Sequence, residues 1–366
     1  MTGTISVDER CGPSAAQAVD AARRAVAATQ DGMSVTTALR EAGLLDLSAP
    51  WRAATSPETL LHVCEHIGHE DGPMGRLFVA AQAAAVLHWA IPSLRDGVDE
   101  GAHVAGADTV SGVLEPGEDG LLLTGRWHEV PGADCADWVA LPCRCGPREL
   151  VALLPAASVR REASVDSGRF DDTAAPDVVC DEVTVAYEQV VDVTGPQLSR
   201  HSRSLPMPLH TRQAATGVLL GITRRAVREF VATARHRSRA GSVERMIEQP
   251  MLQRELNRSV QGFLAARELL IAETARTAAV PAANMTPSRG IRVRLAAAQF
   301  HAQQAALATV RFVFTKAGGS SLYSGHPLER AWREVESLSS HSVFGAAAEG
   351  EVARTQFGGY PRFPVL

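Results

Sequence analysis

Apolar positions along this chain follow a helical rhythm, then a strand rhythm, then a helical rhythm again. In the first hundred residues, "SAAQAVDAARRAVAATQ" (14–30) is alanine-rich with helical spacing. "SPETLLHVCEHIGHEDG" (56–72) opens as a capped helix, with Ser56 before Pro57 and Glu58 in the first turn. "MGRLFVAAQAAAVLHWAIPSL" (74–94) is apolar nearly all round, which predicts a buried helix. Short apolar runs then follow, broken by Gly, Pro and Asp: "TVSGVLEP", "GLLLTGRW", "DWVALPC", "ELVALLP" and "DVVCDEVTVAYEQVV". Strands this closely spaced predict a small barrel or sandwich. From about residue 205 the helical period returns and persists. Long helices are expected over 209–237, from Pro250, and from a Thr286 N-cap before Pro287 to a stop at Gly318–Gly319. A fourth helix is expected from Pro327. Long helices with short connections imply a four-helix bundle. The predicted fold is mainly α with a β middle domain: an N-terminal helical domain (1–102), a β-barrel-like domain (103–200) and a C-terminal four-helix bundle (201–366).

Composition changes this picture little. The 366 residues are 45% hydrophobic and 21% charged, with a net charge of −5, so nothing marks a nucleic-acid binder. No apolar run reaches the length of a membrane span, and the first residues lack a basic region followed by an apolar block, so a cytoplasmic protein is expected. The scattered cysteines are then reduced, and Cys143-x-Cys145 lacks the second pair that structural zinc needs. Lys316 is the single lysine. His62, His66 and His69 share one helical face; that spacing suits a metal trio, but helix packing is the stronger reading, and no metal is expected.

Three segments carry chemistry. In "LLLTGRWHEVPGADCADWVAL" (121–141) stand Gly125, Arg126, Trp127, Gly132, Ala136, Asp137 and Trp138. "LLPAASVRREASVDSGRFDDTAAPDVVCDEVTV" (153–185) contains a turn centred on Thr173. "KAGGSSLYSGHPLERAWREVESLSSH" (316–341) contains Gly318, Gly319, Ser320, Tyr323, Pro327, Leu328, Arg330, Arg333, Glu334 and His341. With the helix–strand–helix order, these segments resemble the acyl-CoA dehydrogenase superfamily over roughly 40–345. Within it they are most similar to the two-component, reduced-flavin-dependent monooxygenases.

The resemblance implies a flavin, FMN or FAD, held between the β-domain and the bundle. It also implies a homodimer or homotetramer whose neighbouring subunits complete the site, and a separate reductase that supplies reduced flavin. The implied reaction is hydroxylation of an aromatic or polyketide-like small molecule in secondary metabolism. Ordinary acyl-CoA dehydrogenation is disfavoured, because the family's two positions for a glutamate base fall in "SSHSVFG" and "PLHTRQAATG", which hold no carboxylate. Two positions depart from the family pattern. Pro131 stands where a serine usually faces the flavin N5, and proline has neither hydroxyl nor N–H. Asp172 stands in the Thr-centred turn, where a nearby phosphate would be repelled. These departures keep two alternatives open: flavin-free cyclisation, dehydration or rearrangement on the same fold, and a non-catalytic partner subunit.

Each candidate residue also has a structural reading. Gly318, Gly319, Ser320 and Ser321 could receive phosphate or pyrimidine oxygens, or simply end a helix. Arg237 and Arg239 could pair with a flavin phosphate, or complement a helix dipole. Trp127 would wall the flavin or fill the β core, and Gly132 belongs to the turn that would hold flavin. His341 is the expected acid or base, because histidine titrates near neutrality. His88, His210 and Tyr323 would face substrate by the resemblance. Arg330 and Glu334 form an i,i+4 pair of the kind usually found in solvent or at an interface.

Overall fold

The computed structural model describes residues 13–45, 47, 56–89, 102–164, 175–192, 205–238, 243–280 and 287–361. The chain begins with helices α1 (Pro13–Gln30), α2 (Val35–Glu41), α3 (Pro57–Glu70) and α4 (Gly72–Trp89). Serine caps start two of them: the Ser34 hydroxyl accepts from the Thr37 N–H, and the Ser56 hydroxyl from the Thr59 N–H. Such caps satisfy backbone donors that have no partner within the helix.

Eight strands follow: β1 (Val104–Gly106), β2 (Gly112–Pro116), β3 (Leu121–Trp127), β4 (Trp138–Cys145), β5 (Arg148–Pro155), β6 (Arg160–Glu162), β7 (Asp177–Val185) and β8 (Val190–Val191). They form one sheet in the order β6-β7-β3-β2-β4-β5-β8, with β1 added parallel to β4. Inward residues Leu114, Leu123, Trp127, Val139, Leu141 and Val178 fill the sheet's own core.

The bundle consists of α5 (Met207–His236), α6 (Pro250–Ala278), α7 (Arg289–Ala317) and α8 (Pro327–Ser339), with α9 (Ala346–Gln356) packed on α7. The start of α7 differs from expectation. Its N-cap is Ser288, while Thr286 lies outside the described residues. A proline at 287 suits the extended residues just before a helix as well as its first turn.

The N-terminal helices are joined to the bundle by a continuous apolar core. Helices α3 and α5 cross with their backbones in contact. A Cβ on Gly221 would lie 2.1 Å from the Glu65 carbonyl oxygen, and one on Gly68 would lie 2.3 Å from the Val218 carbonyl oxygen. Only glycine permits this approach. Beside the crossing, the fully buried Glu65 carboxylate receives Arg267 at 2.8 and 2.9 Å and Arg224 at 3.1 Å. Burial alone would raise its pKa, but the hydrogen bonds and charge of Arg267, with Arg224, outweigh burial and hold it below the usual value. Glu334 is likewise buried. Its partners are Arg330 at 3.0 Å and Arg225 of α5, so the expected helix-surface pair is an internal tie between α8 and α5. A third apolar cluster joins Ala84 of α4 to Val104, Ala140, Val151 and Leu153 of the sheet, with Met207 of α5 packed against it.

Candidate active site

The cavity that contains His341 lies where this third cluster joins helices to sheet. Its volume is about 300 Å³. Ala80, Ala83 and Ala84 of α4 form one side, and Gly106 at the end of β1, with Ala107 and Asp108 just beyond it, forms another. Leu150 and Val151 of β5, Met207, Thr211 and Arg212 of α5, and the His341–Val343 turn after α8 complete it. Apolar walls with a few convergent polar groups are what small-molecule sites require.

His341 sits at the start of the turn that follows α8, and its Nδ1 accepts the Val343 N–H at 3.2 Å. In the neutral ring the hydrogen is therefore on Nε2. Nε2 lies 3.9 Å from Asp108 Oδ2. Burial lowers the His341 pKa; the Asp108 charge opposes this and the Arg76 charge adds to it. The ring is thus a neutral Nε2–H donor at physiological pH.

Arg212 is buried. Its Nε donates to the Val343 carbonyl at 2.9 Å, its Nη1 faces Gln299 Oε1 at 3.5 Å, and its guanidinium lies 4.6 Å from the centre of the Phe300 ring. Burial pushes its pKa down to about 10. The neighbouring Thr211 hydroxyl is buried on the same wall with no partner among the described residues.

The Pro131–Gly132 turn opens onto a second cavity of about 270 Å³, together with Thr36, Arg76, Leu77 and Cys135. Arg76 lies on this wall, and its charge reaches His341, so the two cavities are neighbours. Gly132 has φ +75°, and a Cβ there would lie 2.5 Å from the ring of buried His103. The position therefore demands glycine on both conformation and space.

The remaining expected residues are dispersed. Trp127 is fully buried in the sheet core, where its indole N–H donates to the Pro142 carbonyl; it lines neither cavity. Of the two readings of Trp127, a place in the β core is the one its burial and its bond to Pro142 support. His210 is buried on α5, off the cavity wall, with Nε2 unpartnered among the described residues; burial lowers its pKa to about 4. Tyr323 is 74% exposed and lies away from the His341 cavity. The side chain of His88, and all of Arg239, Asp172 and Thr173, lie outside the described residues. On α3, the His69 Nε2 faces Arg228 Nη1 at 2.9 Å and His62 is buried, so this face packs against other helices.

Gly318 (φ +82°) and Gly319 form an open turn, with no atom within 4 Å of a Cβ placed on either. The Ser321 hydroxyl is used inside the turn, donating to the Gly318 carbonyl at 2.7 Å, while the Ser320 hydroxyl meets Arg237. Arg237 and Ser320 are thus brought together at an exposed, backbone-rich site that suits a phosphate. It lies at the far end of α5 from the cavity: at 1.5 Å per residue, Thr211 and Arg237 are roughly 40 Å apart. One flavin nucleotide cannot span that length within one chain.

Sequence reasoning missed Asp108, Thr211, Arg212 and Arg76. Arg212 left a trace, as the one arginine, lysine or carboxylate in "PLHTRQAATGVLL". Asp108 left none, because an aspartate after a short strand reads as a turn residue.

Helices packed on a sheet and a four-helix bundle, with a cavity at their junction, define the acyl-CoA dehydrogenase fold. Residues 214–345 match the family described as "Acyl-CoA dehydrogenase, C-terminal domain". It is 26% identical over 255 residues to the FADH(2)-dependent resorcinol hydroxylase, oxygenase component, of Rhizobium sp. (strain MTP-10005). That match covers 63% of this chain and 62% of the relative, just under two thirds of its length. Among solved structures, XiaF from Streptomyces sp., in complex with FADH2 and glycerol, superposes with a TM-score of 0.84 at 19% identity, covering 96% of this chain and 98% of that one. The HsaA monooxygenase from M. tuberculosis gives 0.79 at 17% identity, covering 96% and 100%. The dibenzothiophene monooxygenase TdsC from Paenibacillus sp. A11-2 gives 0.71 at 20% identity, covering 96% and 98%. No helix among the described residues is long and apolar enough to cross a membrane.

Proposed function

We propose that this chain is the oxygenase component of a two-component flavin-dependent monooxygenase. It would hydroxylate an aromatic or polyketide-like small molecule of secondary metabolism, using reduced FMN or FAD delivered by a separate reductase. The observation that carries this reading is His341: a neutral imidazole with its Nε2–H available in an apolar cavity between sheet and bundle. The relatives support it, since those named above include a hydroxylase and two monooxygenases, and XiaF is solved with FADH2. Bound reduced flavin would supply, with dioxygen, the oxygen atom that is transferred.

The chain's own residues then have distinct tasks. His341 holds a proton at Nε2 beside the substrate. The alanine wall of α4 and the apolar β5 residues exclude water. The turn at Gly132 presents backbone to the flavin ring, while Gly318, Gly319, Ser320 and Arg237 take the flavin phosphate of a neighbouring copy. On this reading the protein is a homodimer or homotetramer, and Tyr323 and the Ser320 turn act across a subunit boundary. His210 supports the cavity from behind.

Pro131 favours a second reading, because it offers no donor on the wall that would face the flavin. The cavity would then serve flavin-free chemistry with His341 as base, or the chain would be a non-catalytic partner of a homologue. Anaerobic titration with reduced flavin separates the readings: saturable binding supports the monooxygenase, and its absence supports the flavin-free alternatives.

A further inference from the structure

We propose that Asp108 and His341 together form a two-point seat for a hydroxyl group of the substrate, so that the site selects a phenol or other free hydroxyl compound over its ether. This rests on the reading of the 300 Å³ cavity as the substrate site. The two side chains come from different layers of the fold: Asp108 from the segment after β1, and His341 from the turn after α8. Both line the cavity.

Their separation is the main argument. At 3.9 Å, Nε2 and Oδ2 are too far apart for a hydrogen bond between them, yet close enough for a single oxygen about 2.8 Å from each. Their chemistry is complementary. The Val343 N–H occupies Nδ1, so Nε2 donates, and an ionised carboxylate only accepts. A hydroxyl satisfies both, accepting from Nε2–H and donating to Oδ2. An ether leaves Asp108 without a donor, a carboxylate is repelled by it, and an ammonium cannot accept from Nε2. The walls beside the pair (Ala80, Ala84, Val151 and Met207) suit the apolar body that would carry the hydroxyl. A hydroxyl held in this way is polarised by Asp108, which pushes electron density into an attached ring and favours attack by an electrophilic oxygen.

The charged groups around His341 are Asp108, Arg76 of α4, and Arg212 and Glu149 on the same cavity wall. Asp108 is 46% exposed, so its substitution leaves the core intact.

The test uses calorimetric titration of the full chain with resorcinol and with 1,3-dimethoxybenzene, on the wild type, Asp108→Ala and Asp108→Asn. Resorcinol is expected to bind Asp108→Ala at least about tenfold more weakly than wild type, with Asp108→Asn between them. Dimethoxybenzene should bind all three alike. By histidine NMR, His341 should titrate at lower pH in Asp108→Asn, because the Asp108 charge raises its pKa in the wild type and the variant lacks that charge. Equal resorcinol affinity in wild type and Asp108→Ala would overturn the proposal, as would equal losses for both probes or no resorcinol binding by the wild type. A parallel flavin titration keeps the two questions separate: failure to bind flavin counts against the monooxygenase reading and leaves the hydroxyl result standing.

Discussion

Acid should destabilise this protein through two buried histidines, and the size of the effect follows from their surroundings. His103 and His210 are almost fully buried, and desolvation holds both near a pKa of about 4, against 6.5 for a free histidine. Each folded-state pKa lies below its unfolded value. As pH falls through 6.5 the unfolded chain takes up a proton that the folded chain refuses until about 4. The stability is therefore fully present above 6.5 and is lost progressively between 6.5 and 4. At pH 5 each group costs about 2 kcal/mol, so the pair removes about 4 kcal/mol from a total stability on the order of 5–15 kcal/mol. Carboxylates also titrate on acidification, so the informative quantity is a difference between proteins. His210→Leu removes one titrating group and its unpartnered Nε2. Urea denaturation at pH 7, 6 and 5 should show wild type losing about 2 kcal/mol more than the variant between pH 7 and pH 5. Parallel pH dependence in the two proteins would refute the assignment of His210 as a neutral, desolvated group.

Two further predictions concern packing and chemistry. Gly221→Ala puts a methyl group against the Glu65 carbonyl where α3 and α5 touch, and should destabilise by at least about 2 kcal/mol, read as a lowered melting temperature; an unchanged melting temperature would mean the helices separate freely. His341→Gln keeps a side-chain donor and loses the titrating ring; product formation should fall by about 10²-fold or more while reduced flavin is still bound and consumed. Hydroxylation at wild-type rate in that variant would remove His341 from the chemistry.

The helices were legible because their apolar spacing is local. Apart from the start of α7, the bundle helices and the capped start of α3 lie where the sequence pattern places them, as do the strands of the middle sheet. The site was less legible because it is assembled across distance. "KAGGSSLYSGHPLERAWREVESLSSH" reads as one motif, yet α8 separates its ends: Ser320 meets Arg237 at one end of α5, and His341 meets the cavity near Arg212 at the other. Asp108 joins His341 only through the docking of the sheet on the bundle, which no local pattern encodes. Trp127 carried two readings in the sequence, a flavin wall and the β core. The sheet fills its core with this large side chain and gives the indole a carbonyl partner, which the motif alone could not separate from a ligand-facing role. Glu334 looked like a surface charge because i,i+4 spacing cannot reveal that Arg225 approaches it from another helix.

The central claim is that this fold still receives reduced flavin despite Pro131. Anaerobic titration of the purified chain with reduced FMN and reduced FAD, followed by calorimetry or fluorescence, tests it most directly. Saturable binding of at least one of them at micromolar concentration is the predicted result. No binding of either would contradict the account.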